Sequence, residues 1–211
     1  METILYGLCA AIVLMWMVNA IKFYQSQYKN KFYKHIYSNF IEYYYKFSTK
    51  HDASKSSFIK NRIGNNRIIF NSYLNDKYVP VHELVTIVTV KGILVCYVFN
   101  SSGEFNGKDS DKHIIIKRDN KRFKIAGTKE TIDKHVNNIK SKCGVDNIEV
   151  CYFFKKDADF SKFITDNKKA YYNEAINILE GLNNSLSDDQ IESYYKELTT
   201  HLVKEKKWLE V

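Results

Sequence analysis

The distribution of apolar and charged positions sets the N-terminus apart from the rest of the chain. Residues 4–21 carry no charged side chain, and Asn19 is the one strongly polar residue among them. At 1.5 Å rise per residue, a helix of this length just spans a hydrocarbon core of about 30 Å. Basic residues follow at Lys22, Lys29, Lys31 and Lys34, and none precedes the run. The pattern predicts a single-pass transmembrane anchor over residues 1–22, with the C-terminal part in the cytoplasm.

A cleaved signal peptide is the competing interpretation of this run. Signal peptides begin with basic residues and end in small residues at the cleavage site. Here Glu2 precedes the apolar run, and Lys22, Phe23 and Tyr24 follow it. The flanks therefore favour a retained anchor.

The next stretch has the apolar period of a helix. Aromatic and apolar residues recur every three to four positions, at Tyr24, Tyr28, Phe32, Ile36, Phe40, Tyr44 and Phe47. Such a stripe predicts one amphipathic aromatic and basic helix that continues the span, lies in the membrane interface or packs on a globular domain. The Ser- and Asn-rich residues after it predict a polar linker with one short helix. Residues 23–65 are thus expected to connect the anchor to an α/β domain over residues 66–205.

Within that domain the period changes to that of strands. Residues 67–70, 84–90 and 93–99 are rich in β-branched and aromatic side chains, and Lys91-Gly92 separates the last two as a tight turn. Residues 113–117 and 122–125 flank Asp119-Asn120 as a second hairpin. Residues 148–154 are apolar throughout, which is typical of a central strand.

Three helices are predicted in the same region. Residues 128–141 have a helical apolar period and precede Gly144, residues 166–179 precede Gly181, and a last helix opens at Ser187 with Gln190 as its capping-box partner. The predicted fold class is α/β, with a mixed sheet flanked by helices.

The composition adds one observation to this pattern, an excess of basic residues. The net charge of +8 favours contact with anionic lipid or nucleic acid, and lipid alone is sufficient for a domain beside a membrane. The candidate phosphate contacts are the basic residues of the second hairpin: Lys117, Arg118, Lys121, Arg122 and Lys124. The competing interpretation is a solvated edge that uses charge against aggregation. The four cysteines form no CxxC pair, so zinc is not expected.

One stretch resembles the signature of the nuclease-related domain (NERD) family. In that family a glycine turn leads into an apolar strand bearing Glu-x-Lys, followed by Asn and two glycines. Here Gly92 opens the strand, and Asn100, Gly103 and Gly107 follow it. His135 matches a histidine near the end of a helix, and Leu186, Ser187 and Ile191 match a late Leu-Ser-x-x-x-Ile segment. The likeness covers residues 66–202.

The resemblance implies a restriction-endonuclease-like sheet in which one Asp and the Glu-x-Lys pair hold Mg²⁺ and activate water. This chain departs from the pattern, because Leu84, Tyr97 and Phe99 occupy the Asp, Glu and Lys positions. None of the three can bring a hard cation into the site. Glu83 is one residue away from the Asp position, and a one-residue offset turns a strand side chain to the opposite face.

Other acids are weaker candidates for a cation. Glu104, Asp109 and Asp111 cluster after the second strand, but acids near glycines are usually a solvated loop. A nucleophile–base pair of Cys96 or Cys151 with His135 is also weak, since cysteines inside apolar strands are normally inert packing.

The sequence is consistent with three functions. The first is a membrane-anchored, catalytically degenerate NERD-like module that binds or scaffolds, with membrane lipid as a partner and with DNA and a protein partner left open. The second is a metal-dependent nuclease with displaced ligands, which alone would need Mg²⁺. The third is a membrane-associated adaptor unrelated to nucleases.

Overall fold

The computed structural model of the chain describes residues 2–50, 52–74 and 80–199, without the side chains of residues 2, 3, 5, 27, 49, 71–74 and 80–83. The expected domain end at 205 lies outside the described residues. The chain begins with helix α1, Glu2–Phe23. Together with the first residues after it, this helix is long and apolar enough over Tyr6–Ser26 to cross a membrane, and very little of that span is buried against the rest of the chain. The direction of insertion stays a prediction.

Nine strands follow within the described ranges. In chain order they are β1 Asn66–Leu74, β2 Pro80–Thr89, β3 Gly92–Val98, β4 Gly103–Lys108, β5 His113–Arg118, β6 Lys121–Ala126, β7 Ile148–Phe154, β8 Ala158–Ile164 and β9 Lys168–Tyr171. They form a five-stranded sheet with order β1-β2-β3-β7-β9 and a four-stranded sheet with order β6-β5-β4-β8. We call these the central sheet and the outer sheet.

Both sheets are mixed. In the central sheet β2 is antiparallel to both β1 and β3, whereas β7 is parallel to β3 and β9 is parallel to β7. In the outer sheet β5 is antiparallel to β4 and β6, and β8 is parallel to β4. The predicted turn between β2 and β3, the second hairpin and the central place of β7 are confirmed.

Every residue of β3 is buried, which requires cover on both faces of the central sheet because successive side chains point to opposite sides. Leu94, Cys96 and Val98 pack into one cluster with residues of the 28–59 segment and of helix α5, Ala175–Glu180. Ile93, Val95 and Tyr97 pack into another with the outer sheet. Helices α4, Lys129–Cys143, and α6, Asp188–Thr199, complete that second cluster.

Two predicted helix ends are confirmed in detail. Gly144 ends α4 in the left-handed conformation, φ +62°, and donates its backbone N–H to the Lys140 carbonyl. At the start of α6, Ser187 and Gln190 exchange hydrogen bonds between side chain and backbone, at 3.2 and 2.9 Å. This is the reciprocal capping box.

The single helix expected after the anchor is wrong. The segment is divided into a π-helical turn Tyr24–Tyr28, a 3-10 turn Phe32–His35, a short helix α2 Phe40–Tyr44 and a second π-helical turn Tyr45–Thr49. Asn39 is extended and caps α2 by accepting from the backbone N–H of Glu42. The division occurs because buried Tyr37 and Tyr43 lie off the predicted stripe and need contact with the core as well.

The polar stretch after it also joins the core. Helix α3, Ser57–Arg62, buries Ile59, and the side chain of Asn66 exchanges hydrogen bonds with the backbone of Ser56 at 2.8 and 3.0 Å. Residues 23–65 therefore form one layer of the domain, where the sequence pattern predicts a connector.

The helix predicted over residues 166–179 is only partly present. Its first part is strand β9, which extends the central sheet beside β7, and a 3-10 turn Tyr172–Glu174 leads into α5. Pairing with β7 overrides the local helical period here. Strand β8, which no local pattern predicts, pairs with the distant β4.

Candidate functional site

The three residues at the positions of the nuclease motif lie together inside the core. Leu84 and Tyr97 are direct partners on β2 and β3, and Phe99 follows two residues after Tyr97 on the same face. Their exposed fractions are 0%, 1% and 3%. Burial raises the pKa of the Tyr97 phenol far above its usual range, so this group stays neutral.

Aromatic rings fill the space around them. The ring centroid of Phe99 lies 4.9 Å from that of Phe154 and 5.1 Å from those of Phe105 and Tyr97. Tyr152 joins the same group, 5.6 Å from Tyr97. Such spacings are those of favourable aromatic pairs. The position that would hold a metal and a water in the resemblance is therefore close-packed with side chains.

The glycines that carry the resemblance have conformations that favour glycine. Gly92, Gly103 and Gly107 all have positive φ, between +114° and +130°. At Gly103 a Cβ would also overlap the backbone carbonyl oxygen of Lys117 on the neighbouring strand. Backbone conformation is therefore sufficient to explain glycine at these three positions, without any role in catalysis.

Asp109, one of the weaker candidates for a cation, is buried in a hydroxyl network. Its Oδ2 accepts from the Thr165 hydroxyl at 2.6 Å and from the Tyr152 hydroxyl at 3.1 Å, and Tyr152 also contacts the Thr128 hydroxyl at 2.9 Å. Its backbone carbonyl accepts from the N–H groups of Thr128 and Lys129 at the start of α4. Asp109 therefore ties the outer sheet to α4 and β7. Sequence reasoning missed Tyr152, Thr128 and Thr165, because these partners are distant in the chain.

Two other candidate acids, Glu104 and Asp111, have ordinary hydrogen-bond partners. Glu104 Oε1 accepts from Asn106 at 2.8 Å and from Lys162 at 3.1 Å, and these hydrogen bonds lower the pKa of its carboxyl. Asp111 accepts from the backbone N–H of Lys108 at 2.7 Å. The backbone of Glu83 pairs with Val98, and its side chain lies outside the described residues. Across the described ranges no three His, Cys, Asp or Glu side chains are grouped as metal ligands.

The five basic candidates lie on the β5–β6 hairpin at the edge of the outer sheet. Asp119 and Asn120 form its turn with φ of +50° and +60°, which is the two-residue geometry that matches strand twist. Lys117 is opposite Arg122, and Arg118 is opposite Lys121, so four cations surround the turn. Lys124 is further along β6, opposite Ile115.

Acidic neighbours neutralise part of this charge. Lys117 Nζ is 3.6 Å from Glu104, and Arg118 Nε is 3.7 Å from Asp119. Among the described residues, Lys121, Arg122 and Lys124 have no acidic side chain at ion-pair distance. The hairpin and Glu104 line a shallow concavity of about 360 Å³. The guanidinium of Arg118 lies 5.4 Å from the centroid of the half-exposed Phe123 ring.

A cysteine–histidine pair is excluded by the sheet. Cys96 and Cys151 are neighbours in register on β3 and β7, and both point into the cluster that contains the N-terminal segment. His135 lies on the opposite face, where its Nε2 is 2.7 Å from the Thr86 hydroxyl. Burial lowers the pKa of His135 to about 4 and raises that of Cys151 to about 12. The thiols are protonated at neutral pH and a sheet layer away from the imidazole.

Comparison of the chain with protein-family models, with curated proteins and with solved structures finds no match.

Proposed function

We propose that this chain is a membrane-anchored NERD-like module in which hydrophobic core replaces the metal-dependent nuclease site. The observation that carries the proposal is the joint burial of Leu84, Tyr97 and Phe99 in one apolar cluster. A catalytic metal needs carboxylate oxygens in its coordination shell and an open position for water. Leucine, tyrosine and phenylalanine in close packing provide neither.

The strand order supports the same proposal. The resemblance requires 84–90, 93–99 and 148–154 in one sheet, with the helix 128–141 between the last two along the chain. β2, β3 and β7 are adjacent, and α4 precedes β7. The module would act by binding or scaffolding at the membrane to which α1 holds it.

The proposal predicts that metal ions do not confer nuclease activity. Purified full-length protein in detergent is incubated with plasmid and single-stranded DNA in Mg²⁺ and in Mn²⁺, with a chelator as control. The full chain is required, since a fragment beginning at Asn66 would lack the layer formed by residues 28–59. We expect no metal-dependent cleavage.

A matched variant identifies any cleavage that does occur. It combines Glu83→Gln, Glu104→Gln, Asp109→Asn and Asp111→Asn. Cleavage by the parent that the variant loses, while its circular dichroism shows that it is still folded, would establish a nuclease with displaced ligands and overturn the proposal. Equal cleavage by both proteins would indicate a contaminating nuclease.

A second candidate function, contact with nucleic acid, is favoured by the hairpin. Lys121, Arg122 and Lys124 have unpaired charge among the described residues, and the exposed ring of Phe123 lies on the same face of β6 as Lys121, two residues away. Basic side chains that follow a backbone, with an aromatic ring for stacking, are typical of single-strand binding.

Salt dependence tests this candidate. Binding of labelled single-stranded DNA is measured by fluorescence anisotropy over a salt series. The variant Lys121→Gln/Arg122→Gln/Lys124→Gln should lower the slope of log K against log salt by about 2, because each lost phosphate contact contributes about 0.7. The control Lys60→Gln/Lys140→Gln/Lys156→Gln removes the same charge from exposed sites elsewhere. Equal slopes for the two variants would show a nonspecific charge effect and no hairpin site.

A further inference from the structure

The helical stretch formed by α2 and the π-helical turn after it has two apolar faces. Tyr43 and Phe47, four residues apart, pack into the core, and their ring centroids are 4.3 Å apart. Ile41 and Tyr45, also four residues apart, face outward with exposed fractions of 77% and 48%. A helix on the surface of a soluble domain normally presents polar residues there. We call Ile41, Tyr44 and Tyr45 the membrane-proximal patch.

The patch is continuous with the predicted span. The ring of Tyr44 makes an edge contact with Phe23 at 5.3 Å and with Trp16 at 5.9 Å. Those two residues are seven positions apart on α1, or about 10 Å along a helix axis. The Tyr44 ring therefore lies alongside the last turns of the apolar run that ends at Ile21. If α1 spans a bilayer, this ring is at or below the level of the lipid headgroups.

The single acid of α2 is turned away from this surface. Glu42 accepts from Lys46 at 2.8 Å, from the Ser57 backbone N–H at 2.7 Å and from the Ser38 backbone N–H at 2.8 Å. Partial burial opposes its ionisation, but these hydrogen bonds outweigh burial and lower the pKa of Glu42 to about 2. Its charge is thus held against α3 and Lys46, inside the domain.

The charge beside the patch is positive. Lys50 Nζ lies 5.8 Å from the centroid of the Tyr45 ring, and Lys22 follows the apolar run of α1 directly. Aromatic rings with basic neighbours are the composition of the membrane–water interface.

From these observations we propose that the membrane-proximal patch inserts into the headgroup region of the same bilayer that α1 crosses. The inference rests on the membrane anchor of the proposed function. It adds that the domain is docked on the lipid surface through Ile41, Tyr44 and Tyr45. Lipid is favoured over a second copy of the chain because the patch continues the lipid-facing surface of α1 and has no acid exposed on its outward face among the described residues.

Site-directed fluorescence tests the proposal on the full-length chain in vesicles of phosphatidylcholine and phosphatidylglycerol. An environment-sensitive nitrobenzoxadiazole probe is attached to a single introduced cysteine, Ile41→Cys or Tyr45→Cys, in a background of Cys9→Ala and Cys143→Ser. Cys96 and Cys151 are fully buried and are retained. The matched control is Ile164→Cys, an isoleucine exposed at 57% on the outer sheet. In a separate protein that keeps Cys9 and carries only Cys143→Ser, a probe on Cys9 reports α1 itself.

We expect blue-shifted emission at positions 41 and 45 and several-fold stronger quenching by spin-labelled lipid than at position 164. Probes at 41 and 45 that behave like the one at 164, while the Cys9 probe is quenched, would overturn the docking and leave the anchor intact. A Cys9 probe that lipid does not quench would overturn both. A blue shift at 41 that disappears on dilution of the protein among vesicles, without lipid quenching, would assign the patch to a second copy and also overturn the docking.

Discussion

At the scale of single residues, Leu84, Tyr97 and Phe99 act as core. Phe99 packs among Tyr97, Phe105, Tyr152, Phe154 and Phe163, and its exposed fraction is close to zero. A charge at such a position would lack both water and a partner, which is costly. The positions that the family resemblance assigns to chemistry thus contribute stability in this chain.

Truncation of Phe99 measures that contribution. We expect Phe99→Ala to lower the free energy of unfolding by about 3–5 kcal/mol, because it leaves a cavity among aromatic rings. The control is Phe123→Ala on the β6 surface, which should cost less than about 1 kcal/mol. Urea unfolding of the chain without residues 1–21, followed by circular dichroism, gives both values. A loss at Phe99 no larger than at Phe123 would contradict the close packing of Phe99 among these rings.

Glu42 predicts a pH dependence at the same scale. Its pKa is depressed to about 2 in the folded chain, so its contribution to stability is present above the ordinary Glu pKa and is lost as pH falls toward 2. Glu42→Gln should cost about 1–2 kcal/mol at neutral pH.

The cost of Glu42→Gln should decrease between about pH 4.5 and pH 2. The comparison is Glu180→Gln, which removes an exposed ion pair with Arg62 and should cost less than about 1 kcal/mol. Urea unfolding at a series of pH values distinguishes the two. A Glu42→Gln cost that is unchanged down to pH 2 would show that the hydrogen bonds do not depend on the charge.

At the scale of elements, patterns that are completed locally could be predicted from the sequence. The Lys91-Gly92 turn, the Asp119-Asn120 hairpin and the Ser187 capping box each depend on residues within a few positions of one another. The elements that were not predicted depend on distant partners. β9 replaces a helix because it pairs with β7, and β8 exists because it pairs with β4.

The residues of the candidate site also differ in whether the sequence could predict them. The local spacing of the glycines could align Leu84, Tyr97 and Phe99 with the nuclease motif, and that these positions mark a former site stays a prediction. The sequence could not identify Thr165, Tyr152 and Thr128 as the partners that bury Asp109, since three separate elements bring them together. Nor could it show that α2 exposes Ile41 and that the following π-helical turn exposes Tyr45, because a helical stripe does not say which face a domain covers.

Gly103 gives an element-scale prediction about the outer sheet. Gly103→Ala should destabilise the chain by about 2–3 kcal/mol, because φ is +118° and a Cβ would meet the Lys117 carbonyl oxygen where β4 pairs with β5. Gly181→Ala is the matched control, since φ there is −81° and the nearest atoms are at ordinary contact distance. It should change stability by less than about 1 kcal/mol. Thermal unfolding of both variants measures the two effects. Equal effects would show that Gly103→Ala introduces no strain beyond that of Gly181→Ala.

At the scale of the whole molecule, the chain has three layers. The central sheet lies between an aromatic N-terminal layer on one face and the outer sheet with α4 and α6 on the other. Only the first layer is joined to α1, so the anchor and the outer-sheet hairpin are on opposite sides of the central sheet. This arrangement leaves the basic hairpin on the side of the central sheet away from Ile41, Tyr44 and Tyr45.

Removal of residues 1–21 tests the anchor. Because very little of α1 is buried against the domain, the shortened chain should fold and move from the membrane fraction to the soluble fraction. Sedimentation of cell extracts, with and without high salt, measures this. A shortened chain that stays on membranes at high salt would show that the membrane-proximal patch alone is a sufficient anchor.

The residues that directly follow α1 already pack on the domain and do not form a flexible linker. A disordered linker would let a tethered domain sample a volume that grows with linker length, but here Phe23 already contacts Tyr43 and Phe32 already contacts Phe153 of β7. If α1 crosses the bilayer, these contacts hold the domain at one distance from the membrane and in one orientation. The domain could then not move away from the membrane to bind a ligand. Whatever binds it would have to arrive at the membrane surface, and would meet the same face of the domain on every copy.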